Sequence, residues 1–173
     1  LMETQEDPRL RAYLLNHLCD SFRGTLVRQT MFAEFELEIH RRLEKGEALT
    51  AESMKEYYYD LNAKYHGPNM TADERIASEW SRVPHFYFNF YVYKYATGFA
   101  AAQLFAQQIL SGKEGRDKYL GFLKSGSSKD PLDTVRDAAA DLADPQVVRT
   151  TFDTFRSAIR ELSELLEELP AKR

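Results

Sequence analysis

Between Leu14 and Ile39 the apolar residues Leu14, Leu18, Phe22, Leu26, Met31, Phe35 and Ile39 recur at steps that are nearly all four. Side chains at that spacing share one face of an α-helix and bury together, so this part of the chain is committed to a helical stripe. Asp7-Pro8 supplies a capping carboxylate followed by proline at the first helical position, and Gly46 ends the run. Gly24 lies inside it. The spacing therefore predicts one long helix or two abutting ones, with a kink or a close helix crossing at the glycine.

The same punctuation repeats downstream. Thr50 opens a helix through YYYDLNAKY that stops at His66-Gly67-Pro68, and Thr71 with Glu74 reads as the capping box of a short helix reaching Trp80. Helices are expected through Lys118 to Leu123, after Asp130-Pro131 and after Asp144-Pro145. In the last of these, Val148, Phe152, Phe155, Ile159, Leu162, Leu166 and Leu169 alternate steps of four and three, a narrow seam expected to face a neighbouring helix.

One segment resists this pattern. In PHFYFNFYVYKYATGF, Pro84 to Phe99, Phe86, Phe88, Phe90 and Val92 alternate with Tyr87, Asn89, Tyr91 and Tyr93, the period of a strand. A lone strand cannot satisfy its backbone groups, and no second strand-like run exists to pair with it. The segment is therefore read as helical, with extended or irregular backbone left open near Pro84. A helix would place His85, Asn89, Val92 and Ala96 on one side and Tyr91 with Tyr95 on another. Two uses of the run stand side by side: a core helix whose tyrosines fill packing gaps, or a cleft wall whose phenols and imidazole donate hydrogen bonds to a bound peptide.

The length of 173 residues suits one domain or part of a larger one. A net charge of −4 with interspersed signs gives no electrostatic footprint for nucleic acid, and no apolar run approaches the roughly 20 residues of a membrane span. Cys19, the only cysteine, cannot form an intrachain disulfide; its apolar neighbours predict a small buried thiol, and a reducing cytoplasm is the expected setting. No charged and apolar leader opens the sequence as written.

No complete catalytic centre is legible. The four histidines are followed by Leu18, Arg41, Gly67 and Phe86, so none begins the H-E-x-x-H pair of a zinc peptidase. EFELEIH stacks Glu34 over Glu38 and Glu36 over His40, but without Glu-x-x-His pairs it reads as a solvated acidic face beside Arg41 and Arg42. Neither a G-x-S-x-G elbow nor a phosphate-cradling loop is present.

The stretches FRGTLVRQTMFAEFELEIH, YYYDLNAKYHGP and WSRVPHFYFNFYVYKYATGFAAAQLF, in that order, resemble the C-terminal portion of bacterial oligoendopeptidase F, a zinc metalloendopeptidase family of the thimet oligopeptidase clan. The resemblance covers essentially the whole chain. It implies an all-α, multi-helix bundle, the C-terminal half of a zincin-like oligopeptidase catalytic domain, with residues 1–173 forming a single helical unit. It also implies that the zinc ligands lie before Leu1, so no metal is expected in this chain, which would be inactive alone. His85, with Tyr91, Tyr93 and Tyr95 as candidates together, would bind substrate and stabilise the oxyanion. The implied partners are an oligopeptide and the N-terminal remainder of the peptidase, with self-association through surface that remainder would cover. The alternative is a stand-alone helical interaction module with no catalytic role, its tyrosines packed and little exposed.

Overall fold

The computed structural model describes residues 5–169, and every regular element among them is helical, as expected. The order is α1 (Pro8–Ser21), a wide π-wound segment (Phe22–Val27), α2 (Arg28–Glu44), α3 (Ala51–His66), two 3₁₀ segments (Glu74–Arg82 and Pro84–Tyr87), then α4 (Tyr93–Ser111), α5 (Lys113–Ser125), α6 (Pro131–Asp137) and α7 (Pro145–Glu168).

The Asp-Pro signals work as read. Asp7, Asp130 and Asp144 each accept a hydrogen bond from the backbone N–H two residues on, with proline opening the helix. Thr50 and Ser53 cap α3 reciprocally, and Gly67, at φ +75°, ends it in a conformation other residues resist. Thr71 is not a cap. The cap is Asp73, accepting from Arg75 N, and the turn after it is 3₁₀.

Gly24 sits in the π-wound segment, and a Cβ added there would meet nothing within 4 Å, so the close-crossing expectation fails and a widened turn takes its place. Carbonyls in that turn are taken up by side chains: Gln29 Nε2 donates to Gly24 O at 3.1 Å and Thr30 Oγ1 to Leu26 O at 2.7 Å.

The chain divides into two compact units. One combines the chain before Gly24 with the chain after Ala96. There Phe22, fully buried, stacks on Phe155 (centroids 4.9 Å apart, planes 7° apart) and meets Phe99 edge-on, while Arg11 pairs with Glu161. A second cluster gathers Ala101, Phe105, Ala138 and Ala140, with Tyr119 and Phe122 against Phe105. The buried face of α7 runs through Val147, Thr151 and Ala158, whereas Val148, Ile159 and Leu166 are 44%, 47% and 59% exposed. The predicted seam is thus turned by about one residue. α7 packs along α1, and Thr151 Oγ1 donates to Val147 O at 2.8 Å, which satisfies its buried hydroxyl. Cys19 is half-buried rather than buried. What desolvation it has, with Asp20 beside it, raises its thiol pKa.

Gly24–Ala96 forms the other unit. Its core joins Met31, Phe32 and Phe35 of α2 to Tyr58 and Leu61 of α3 and to Val83 and Val92 on either side of the aromatic run. Fully burying an apolar side chain of this size contributes about 1.5 to 3 kcal/mol, so Val83 and Val92 are strong anchors for the chain between them.

Candidate functional site

The aromatic run is neither strand nor continuous helix. Pro84–Tyr87 is one 3₁₀ turn, Asn89 (φ 21°) and Phe90 (φ 55°) lie in the left-handed region, and α-helix begins only at Tyr93. Left-handed backbone at non-glycine residues costs of order 1 to 3 kcal/mol each and persists only where surroundings impose it. Here α2 imposes it. Arg28, Phe32, Glu36 and His40 recur every fourth residue and form one ridge. Arg28 Nη2 bonds Glu79 at 2.7 Å, and the Phe32 ring meets Phe86 edge-on at 5.5 Å. Glu36 Oε1 accepts from Phe90 N at 2.7 Å, and the His40 ring packs on the Phe90 ring at 4.5 Å.

Glu36 is only 1% exposed, which corrects the solvated-face reading of EFELEIH at this position. Glu38, by contrast, pairs with Arg42 at 3.1 Å, and Glu34 accepts from Lys64 and Tyr65, each at 2.6 Å. Those bonds hold the Glu34 carboxyl below its ordinary pKa. Sequence reasoning missed Glu36. The available signal was its position one turn beyond Phe32, beside the apolar stripe.

Anchored by Phe86, Phe90 and Val92, the segment brings His85 against two tyrosines. His85 Nε2 lies 3.0 Å from the Tyr95 hydroxyl, and the rings cross edge-on at 5.2 Å. Tyr91 stacks parallel to the imidazole, 6.0 Å away at 6°, with Lys94 Nζ 5.1 Å from its centroid. The helical-wheel grouping is therefore wrong: it separated His85 from Tyr91 and Tyr95, which the non-helical turn brings together. Asn89 and Val92 are not on a shared face with His85; Asn89 is exposed and Val92 is buried. Tyr91, Tyr93 and Tyr95 are 41%, 47% and 38% exposed.

Chemically, this is a small surface of phenols around one imidazole. If Nε2 carries the proton it donates to the Tyr95 oxygen, and the phenolic proton is then free to point outward. In the other tautomer the phenol donates inward to Nε2 and Nδ1 carries the proton. Among the described residues, no group of three or more His, Cys, Asp or Glu could hold a metal ion, so the donors present do not fit a zinc site. No helix of the described residues is long and apolar enough to cross a membrane.

The family model for Peptidase family M3 matches residues 1–154. The chain belongs to that family. This M3 chain is 48% identical over 167 residues to oligopeptidase PepF of Bacillus subtilis, a match that covers 96% of the chain and 25% of that protein. It is 43% identical over 169 residues to the plasmid oligoendopeptidase F of Lactococcus lactis subsp. cremoris, covering 97% of the chain and 28% of that protein. The crystal structure of oligoendopeptidase-F from Enterococcus faecium superimposes with a TM-score of 0.94 at 45% identity, over 98% of the M3 chain and 33% of that structure. The chain thus spans about a quarter to a third of the length of the relatives it matches.

Proposed function

We propose that this chain supplies the substrate-binding and oxyanion-stabilising wall of a zinc-dependent oligopeptidase acting on short peptides. The zinc centre and its H-E-x-x-H motif would lie in the remainder of the protein, so the chain alone is inactive. Membership of Peptidase family M3 and similarity to an oligopeptidase and to oligoendopeptidases support peptide hydrolysis. The observation that carries the local assignment is the 3.0 Å contact between His85 and Tyr95 on an exposed surface beside the stacked Tyr91.

In this reading His85 Nε2–H holds the Tyr95 oxygen, which directs the phenolic proton toward the tetrahedral oxyanion. A preorganised donor of this kind contributes roughly 3 to 4 kcal/mol where water is excluded. The flat faces of Tyr91, Tyr93 and neighbouring rings would grip an extended peptide. The exposure of all three tyrosines weighs against a stand-alone module in which they are packed. A cytoplasmic setting belongs to the same proposal, supported by the single cysteine. The test is His85→Ala in the full-length peptidase, assayed on a quenched oligopeptide. A loss of about 100-fold in kcat/KM is expected; unchanged turnover with normal folding and metal content would remove the assignment.

A further inference from the structure

We infer that Glu36 is a positioning residue for this wall: its buried carboxylate fixes the left-handed turn at Asn89–Phe90 and so sets the Tyr91 ring against His85. The inference rests on the proposed role of His85 and its tyrosines and assigns that surface a support outside the aromatic run.

Three anchors hold the chain between Pro84 and Tyr93. Phe86 packs on Phe32 and Phe35, and Val92 is fully buried; both are apolar contacts that tolerate rotation about the contact. The middle anchor is directional. Glu36 Oε1 takes the Phe90 N–H at 2.7 Å from a position 54 residues earlier in the chain. A carboxyl oxygen that accepts from a backbone N–H at this distance makes a bond with a defined line. It acts where the backbone is least willing, since Asn89 and Phe90 both have positive φ. One helical turn further along α2, His40 lies against the Phe90 ring at 4.5 Å, so peptide group and side chain are gripped from the same ridge. Tyr91 is the next residue. Its backbone direction follows from the Phe90 conformation, and its ring lies within 6° of parallel to His85. Released from Glu36, the turn would relax toward ordinary φ and Tyr91 would swing away from the imidazole.

The test uses the full-length peptidase with isotope-labelled histidine and three readings. The ring current of Tyr91 shifts the His85 ring signals in the parent protein, and Glu36→Leu, which keeps the volume and removes the acceptor, is expected to abolish that shift. The same variant should lower kcat/KM about tenfold, the loss expected when the Tyr91 ring no longer lies against the imidazole. Glu36→Gln retains a carbonyl oxygen and should restore the ring-current shift and return most of the activity. An unmoved His85 signal in Glu36→Leu overturns the inference whatever the kinetics, because a merely stabilising carboxylate would not change it. Loss of the shift with unchanged kcat/KM leaves the positioning role standing and instead removes the proposed role of the wall. Should Glu36→Leu fail to fold, hydrogen exchange of the Phe90 amide in the unmodified protein decides: protection of about 100-fold or more is expected from the bond to Glu36, and exchange at the rate of a free turn overturns it.

Discussion

Tyr58 donates its phenolic hydrogen to Glu79 Oε2 at 2.8 Å, inside the unit that carries the aromatic run. Both side chains are buried, and the other carboxylate oxygen receives Arg28 at 2.7 Å and Arg82 at 3.0 Å. Burial alone would raise the Glu79 pKa, but the bonds from Tyr58, Arg28 and Arg82, with the Arg28 charge, outweigh it and leave the carboxyl below its ordinary 4.5. Burial and the same carboxylate push the Tyr58 phenol upward.

A folded-state pKa below the unfolded one gives stability that is complete above about pH 4.5 and lost as pH falls through the lower folded value. Glu79→Gln should therefore cost about 3 kcal/mol at neutral pH and flatten the acid limb. Urea unfolding at neutral and acid pH checks this. A variant that still loses stability with acid as steeply as the parent would show that other carboxylates set the limb.

The tyrosines should separate by what each offers His85. Tyr95 meets it through a hydroxyl and Tyr91 through a ring face. In the full-length peptidase Tyr95→Phe should lower kcat/KM about 100-fold. Tyr91→Phe keeps the stacked face and should stay within about threefold, while Tyr91→Ala should cost about tenfold. Equal losses for the two phenylalanine variants would contradict the roles assigned from the geometry.

Gly115 lies in the first turn of α5 against the backbone of α4, where an added Cβ would fall 1.9 Å from Gln108 O. Main chain cannot step aside as a side chain can. Gly115→Ala should destabilise by about 2 kcal/mol or more, despite alanine's better helix propensity. A rise in thermal midpoint would mean the two helices part at no cost.

At the start of α7, Asp144→Ala removes the acceptor for Gln146 N and should cost about 1 kcal/mol. Asp144→Asn retains an acceptor and should lie within a few tenths of a kcal/mol of the parent. Differential calorimetry on the pair distinguishes a capping effect from a charge effect.

Val148, Ile159 and Leu166 form an exposed apolar row on α7. If surface of this kind drives the expected self-association, Ile159→Lys with Leu166→Lys should shift sedimentation of the isolated chain toward monomer. A clean monomer from the unmodified chain at high concentration would remove the expectation altogether.

Local chemistry was legible in the residues. A step of four, an aspartate before proline and a glycine before proline act within one or two turns, so the helices and most of their ends could be read without the fold. The tyrosines and His85 could be picked out by type, but their grouping was misread, because a helical wheel has no place for two left-handed residues at Asn89 and Phe90. That turn exists because Glu36 and His40, some fifty residues earlier in the chain, hold Phe90. Neighbouring sequence sets the preference of a backbone, but only a contact distant in sequence can hold it against that preference. The buried face of α7 was decided in the same way: the heptad spacing allowed adjacent stripes, and packing against elements distant in sequence, α1 among them, selected the one through Val147, Thr151 and Ala158.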